Sequence, residues 1–292
     1  MTNATRNTDI NGMAKDFTFG VEIESTIGSR KRITIGDYHR GIQVPYLPEG
    51  WTAEKDASIR YARGMRACEI VSPILKGEEG IKELIKVIGI LKDKGHQVNE
   101  TCGIHVHVGF GNKSASDLAK LIKIVAYLEH ALYAITGTKA RERGTWCGSV
   151  KRYDNAQNYQ SQMAQSHSAK YKVLNIKHLT NGGKGTVEFR CFSGSLNVTK
   201  IVGWVQVCLG IVEKALTCKR LPSWNGKNPI GVWKKDGAGA TECERLLAYL
   251  CWGNYGKYAA HQRAYGWVSN EINQKDIKET FRTLAKKYDS QN

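Results

Sequence analysis

Three short segments of the chain carry ionisable side chains two residues apart. They are Phe19-Gly20-Val21-Glu22-Ile23-Glu24, Gly103-Ile104-His105-Val106-His107-Val108 and Thr186-Val187-Glu188-Phe189-Arg190. Side chains alternate across a strand. Glu22 and Glu24 therefore share a face, as do His105 and His107, and Glu188 and Arg190, while aliphatic and aromatic residues line the opposite face. Glu69, in Arg66-Ala67-Cys68-Glu69-Ile70-Val71, has similar apolar flanks. Buried carboxylates raise one another's pKa unless a cation neutralises them, and their hard oxygens suit Mg²⁺ or Mn²⁺. A single Glu-x-Glu reads more simply as a solvated sheet face. Three such strands together read as a metal-dependent catalytic platform.

The histidines admit a second chemistry. Neutral imidazoles of His105 and His107 could ligate zinc beside the glutamates in a metal-dependent hydrolase, although zinc sites use three or more fixed ligands and His-x-His supplies two. Arg190, on the same face as Glu188, can neutralise charge on a transferring phosphoryl group or form a simple cross-strand ion pair. Neither a Walker A loop nor a dinucleotide glycine fingerprint is present. A bound nucleotide would therefore be held by metals and basic side chains on the sheet.

These residues need strands to align them and helices to cover the apolar face. The pattern predicts a disordered tail over 1–14, a first strand over 16–25, and a turn-rich stretch over 26–64 with short strands and a hairpin around Trp51. A strand over 66–71 ends at Ser72-Pro73. Apolar residues at helical spacing predict helices over Glu78–Lys94, Ser116–Ile135 and Val198–Cys218, with Gly95 as a C-terminal cap and Ser114 or Ser116 as an N-cap. Residues 137–170 read as a long polar loop with one short helix, of the kind that often carries function. Strands follow over 171–179 and 186–192, separated by the turn Asn181-Gly182-Gly183. Two or three more helices and a Trp/Tyr-rich stretch complete residues 221–292; Trp252, Tyr255, Tyr258, Tyr265 and Trp267 read as packing residues. The order predicts an α+β fold with helices on one face of a mainly antiparallel sheet.

Composition bounds the setting. The 292 residues are 41% hydrophobic and 24% charged, with a net charge of +16. That balance favours anionic partners, but the charge is spread along the chain and no nucleic-acid-binding motif accompanies it. A basic nucleic-acid-binding protein thus stays open as an alternative. Eight cysteines without a C-x-x-C pair read as free thiols, several of them buried. No apolar run reaches membrane-spanning length and the N-terminus lacks an apolar signal region, so a cytoplasmic protein without membrane association is expected.

Five motifs then occur in order: Phe19-Gly20-x-Glu22-x-Glu24, Glu69-Ile70-Val71-Ser72-Pro73, Cys102-Gly103-x-His105-Val106-His107-Val108, Lys170-Tyr171-x-x-Leu174-Asn175, and Thr186-Val187-Glu188-Phe189-Arg190-x-Phe192-x-Gly194-Ser195-Leu196-Asn197. Over roughly residues 17–216 the chain resembles the amidoligase family of the carboxylate–amine ligase superfamily, which includes glutamine synthetase and glutamate–cysteine ligase. The resemblance implies a sheet curved into a partial barrel, with ATP at one end and two or three divalent metals, Mg²⁺ or Mn²⁺, inside. It implies metal ligation by Glu22, Glu24, Glu69, His105 and Glu188. Glu69 would also neighbour the γ-phosphate and the substrate carboxylate, and His105 and Glu188 would serve the nucleotide side. Arg190 would stabilise the moving phosphoryl group. Tyr171 and Asn175 would have a substrate or structural role, and the loop arginines Arg141, Arg143 and Arg152 would meet phosphates. His107 and the substrate pair are not carried over.

The implied activity is an ATP- and Mg²⁺-dependent ligation of a carboxylate to an amine through an acyl phosphate, on a small molecule, a peptide or a protein. The implied organisation is a catalytic domain over 15–220 and a helical extension over 221–292 packed on it.

Overall fold

The computed structural model describes residues 13–111, 113–150, 170–179, 183–218, 241–252 and 264–291. Its centre is β1 (Thr18–Gly28), long enough to pair with three other strands. The others are β2 (Ile42–Gln43), β3 (Thr52–Glu54), β4 (Met65–Val71), β5 (Leu75–Lys76), β6 (Gly103–Gly109), β7 (Leu174–Asn175) and β8 (Thr186–Ser193). The order across the sheet is β2-β3-β4-β1-β6-β8-β7, with β5 also beside β1. All of these strand pairs are antiparallel, and the sheet stays open, with β2 and β7 at its edges.

The apolar face carries Phe19, Val21, Ile23, Ile104, Val106, Val187 and Phe189, all buried. Helices α1 (Gly77–Asp93), α2 (Ala115–Ala134) and α4 (Val198–Thr217) form the core with this face. The short α3 (Ala140–Arg143) lies against β8. Ser114 caps α2 by accepting from the Asp117 amide at 3.1 Å. Gly95 follows α1 with φ +85°, as its predicted capping role requires. The central helix is α4, buried along most of its length and packed against β6, α1 and α2. Its Trp204 stacks on Phe192 at 5.0 Å between ring centroids and donates to the Ile135 carbonyl at 3.1 Å.

Helices α5 (Glu242–Tyr249) and α6 (Gln274–Asp289) close over α2, and α6 reaches α4. A Cβ at Gly203 would come within 2.7 Å of the Phe281 ring, so glycine there allows the close crossing of α4 and α6. Trp252 and Trp267 are buried edge-to-face at 5.3 Å and act as packing residues, as expected; Tyr255 and Tyr258 lie outside the described residues.

The structure corrects two local expectations. Residues 13 and 14, expected in the disordered tail, belong to the fold: Ala14 is buried and its amide donates to Glu213 Oε1 at 3.3 Å, while residues 1–12 of that tail lie outside the described residues. The strand expected over 171–179 shrinks to β7 and a 3₁₀ turn at Lys177–Leu179, where Asn175 Oδ1 accepts from the Lys177 amide at 2.9 Å and turns the chain. The polar loop carries the one short helix expected in it, α3. The cysteines are free thiols, all buried except half-exposed Cys218. Among the described residues, no helix is long and apolar enough to cross a membrane.

His96 joins the end of α1 to the sheet from a buried position. Ser25 Oγ donates to the Cys68 carbonyl at 3.0 Å, so it accepts from His96 Nδ1 at 2.9 Å, leaving Nε2 to accept from the Tyr46 hydroxyl at 3.1 Å. Burial pulls the imidazole down from 6.5 to about 4. Below pH ~6.5 the unfolded chain takes up a proton that the folded protein refuses, so stability falls as the pH drops from ~6.5 toward ~4. From pH 7 to pH 5 this group should remove about 2 kcal/mol. In urea unfolding, His96→Gln should lose less stability over that interval than wild type by about this amount; equal losses would exclude His96 as the source.

Candidate active site

The face of the sheet opposite the helices carries the ionisable residues. Glu54, Glu69 and Glu24 stand side by side across β3, β4 and β1. One step along the strands Glu22 lies opposite His105, and one step further His107 lies opposite Glu188, with Asn175 on its far side. The alternation read from the sequence accounts for this face, Glu188 and Arg190 included, but breaks beyond Arg190 in β8. A bulge there sets Arg190 and Cys191 together opposite His105, because Ile104 pairs with Phe192 and Val106 with Phe189. The extra residue lets Phe189 and Phe192 both enter the core while Glu188 and Arg190 face the site. Arg141 Nη2 donates to the Arg190 carbonyl at 2.7 Å.

The site has two poles. At one, every carboxylate has a cation or a donor. Glu22 lies 3.0 Å from His105 Nδ1 and 3.1 Å from His107 Nε2, with Lys184 at 3.8 Å. Glu188 pairs with Arg190 and accepts from Asn175 at 2.6 Å, with His178 at 3.1 Å. Burial alone would raise both carboxyls, but the surrounding positive charge outweighs it. His107 and His105 hold Glu22 well below the usual carboxylate range, and Arg190, His178 and His107 hold Glu188 down likewise. Burial opposes protonation of His107, but Glu22 and Glu188 raise its pKa on balance.

At the other pole acids outnumber bases: His105 Nε2 lies 3.4 Å from Glu24 and His39 Nδ1 3.5 Å from Glu54, with no basic partner for Glu69 among the described residues. Glu24 accepts from the Gly103 amide at 2.6 Å, and Asp56 from the Ser58 amide at 2.6 Å. Glu69 is 5% exposed. Burial, reinforced by Glu22, Glu24, Asp56 and Glu54, pushes its pKa well above the usual range. Repulsion of this kind is relieved by a cation.

The donor sets suit divalent metals. Glu22, Glu69 and His105 offer ligand atoms within 4.8 Å of one another, as do Glu24, Asp56 and Glu69, and also His107, His178 and Glu188. The Nε2 atoms of His105 and His107 are buried without a hydrogen bond; the short distance from His107 Nε2 to Glu22 lacks hydrogen-bonding geometry, which leaves the atom available as a ligand. The all-oxygen set fits Mg²⁺ or Mn²⁺, and the two histidine-containing sets fit Mn²⁺ or Zn²⁺.

The face forms the floor of a cleft of about 950 Å³, at the upper end for a small-molecule site. Lysines 55, 170, 177 and 184 line it with Arg141, Trp146 and Tyr171. Trp146 meets Tyr171 edge-on at 4.8 Å, and the Arg190 guanidinium lies 5.8 Å from the Tyr171 ring.

Glu22, Glu24, Glu69, His105, Glu188, Arg190, Arg141, Tyr171 and Asn175 thus come together in one cleft. Arg143 does not: it is exposed and lies off the cleft lining. Arg152 lies outside the described residues. Sequence reasoning missed Glu54, Asp56 and His178. Glu54-Lys55-Asp56 repeats the acidic i, i+2 pattern inside a stretch read only as turns, whereas His178 stands in a 3₁₀ turn and has no periodic signal.

A family model described as "Putative amidoligase enzyme" matches residues 15–212. No curated protein matches the chain. Solved structures that resemble it include a bifunctional glutathione synthetase from Pasteurella multocida, at 11% identity and a TM-score of 0.41, covering 68% of this chain and 38% of that one. They also include the complex between the prokaryotic ubiquitin-like protein Pup and its ligase PafA, at 11% identity and a TM-score of 0.44, covering 95% of this chain and 64% of that one. The chain therefore spans less than two thirds of the length of either.

The acidic pole gives a direct test. Replacing Glu69 with Gln removes one buried like charge. Glu69→Gln should raise the melting temperature of metal-free protein by a few degrees and reduce the further rise on adding Mn²⁺. A variant that melts lower than wild type without metal, yet responds fully to Mn²⁺, would exclude Glu69 from both roles.

Proposed function

We propose, from the site geometry of a chain that belongs to the amidoligase family, that it is an ATP- and Mg²⁺- or Mn²⁺-dependent ligase joining a carboxylate to an amine through an acyl phosphate. The observation that carries this reading is the pairing of the two poles on one sheet face. A pole in which acids outnumber bases, Glu24, Asp56 and Glu69 with His105 at its border, adjoins a pole in which Arg190 and three histidines surround Glu22 and Glu188.

Glu22, Glu24, Glu69, His105 and Glu188 would hold divalent ions, with Asp56 completing the acidic set. Bound there, the metals would neutralise charge on phosphoryl oxygens. A carboxylate oxygen of the acceptor attacks the γ-phosphorus, the bond from that phosphorus to the bridging oxygen breaks, and ADP leaves. Arg190, held by Glu188 and Tyr171, supplies donors to the moving phosphoryl group. The amine nitrogen then attacks the acyl carbon and phosphate departs with the bond to oxygen. The proton shed by the amine passes to the departing phosphate. The size of the cleft and the charge of +16 favour an acidic acceptor, on a small molecule, a peptide or a protein, in the cytoplasm.

One observation favours a second reading. His178 completes His107 and Glu188 as a two-histidine, one-carboxylate set, a donor combination used by zinc hydrolases. That reading predicts tightly held zinc and turnover without nucleotide. Nucleic-acid binding finds no comparable support, because the basic residues are spread along the chain and no nucleic-acid-binding motif accompanies them.

Calorimetric titration of ATP with and without Mg²⁺ decides between the two. Wild type should bind ATP only with the metal, and Glu22→Gln/Glu188→Gln should lose that binding. Glu188→Ala and Arg190→Ala should each reduce ADP formation by about a thousandfold while the fold persists. Unchanged turnover in both would sink the ligase reading; bound zinc with nucleotide-independent turnover would establish the hydrolase.

A further inference from the structure

We infer that Arg141 is the seat of an oxyanion group of a substrate, and that the C-terminal helix, beyond the matched family region, holds it in place. The inference rests on the proposed ligase only in taking the cleft as the substrate site.

Arg141 is 7% exposed and lines the cleft. Its Nη2 serves the Arg190 carbonyl, but its Nε is buried without a partner. Unlike Arg190, which is tied to Glu188, it forms no ion pair among the described residues. A buried guanidinium without a counter-anion is costly, and its planar fork of donors matches a carboxylate or a phosphoryl group. The backbone makes room for it: a Cβ at Gly103 would lie 2.7 Å from Arg141 Nη2 and 3.1 Å from Cζ. Glycine at this position lets the guanidinium lie against β6, beside the backbone amide that binds Glu24. The seat therefore adjoins the acidic pole.

The turn that presents Arg141 is fastened from outside the cleft. The next residue, Glu142, accepts from the Tyr288 hydroxyl of α6 and lies 3.1 Å from His130 Nδ1 of α2. Gln291 accepts from the Lys139 amide at 3.0 Å and donates to the Gly137 carbonyl at 3.1 Å. The last helix and the residues after it thus hold α3 itself and the turn that leads into it, a four-residue helix that could not hold its own geometry. Tyr288 and Glu142 are positioning residues for Arg141.

Carboxylate and phosphoryl groups share this chemistry, so the test uses three probes: inorganic phosphate, glutarate and Mg·ADP. Each is titrated calorimetrically into wild type, Arg141→Lys, Arg141→Gln, Glu142→Gln and Tyr288→Phe. Phosphate and glutarate should bind wild type and weaken by about tenfold or more in Arg141→Gln, the loss expected for a charged hydrogen bond. Arg141→Lys, which keeps the charge, should lose less. Glu142→Gln and Tyr288→Phe should weaken both small probes several-fold, an effect a merely structural tether would not produce once the variants are folded. Mg·ADP binding unchanged in Arg141→Gln assigns the oxyanion to the acceptor; Mg·ADP weakened in step with phosphate assigns it to the nucleotide. Phosphate and glutarate that bind Arg141→Gln as well as wild type, or that do not bind wild type, overturn the seat. Unchanged affinities in Glu142→Gln and Tyr288→Phe overturn the role of the helix. Mg·ADP binding by wild type in either case leaves the ligase reading standing, and its absence counts against that reading instead.

Discussion

Carboxylates forced side by side on a half-buried sheet face are the constraint around which this protein is organised. Glu54, Glu69 and Glu24 occupy adjacent positions on three neighbouring strands. In water such charges would move apart. Here the hydrogen-bonding ladder holds their backbones one strand spacing from each other, and burial raises the energetic cost. A fold retains such an arrangement when something else repays it. On the β8 side the chain supplies its own compensation through Arg190, His107 and His178. On the β4 side it leaves the charge open. The division of one surface into a neutralised half and an open half is what gives the cleft a direction.

Holding that surface still requires the opposite face to be heavily anchored. The helix α4 is buried along most of its length, and Trp204 locks it to Phe192 of β8 and to the carbonyl of Ile135 just beyond α2. The bulge in β8 links this anchor to the site. With regular alternation Phe192 would fall on the same face as Arg190 and Glu188. One inserted residue reverses the parity between them, so the anchor and the guanidinium both reach their places. The bulge carbonyl at Arg190 is then satisfied by Arg141, which ties the packing of the sheet to the cleft wall.

The C-terminal helices add a second layer of support. Glycine at 203 lets α6 lie close against α4, and the residues after Leu284 reach round to the turn that bears Arg141. The site is therefore built by strands from the first two thirds of the chain and braced by a helix from its end.

Much of this was legible in the residues themselves. Period-2 alternation identifies the faces of β1 and β6, and helical periodicity places α1, α2 and α4 within a residue or two, because each signal depends only on local geometry and on burial of one side. The same alternation singled out Glu22, Glu24, His105, Glu188 and Arg190, and the order of the motifs pointed to the family. Tertiary structure decided the rest. Strand order and register set Glu54 beside Glu69 and Glu24, which no local pattern encodes, since pairing joins residues far apart in the chain. His178 reaches Glu188 through a turn without a repeat. Arg141 and Arg143 are indistinguishable as loop arginines, yet one is drawn into the cleft and the other left at the surface. That choice rests on the bulge carbonyl, on the missing side chain at Gly103 and on a tyrosine of the last helix. Local sequence determines which face a side chain takes; only the packing of distant segments determines what it meets there.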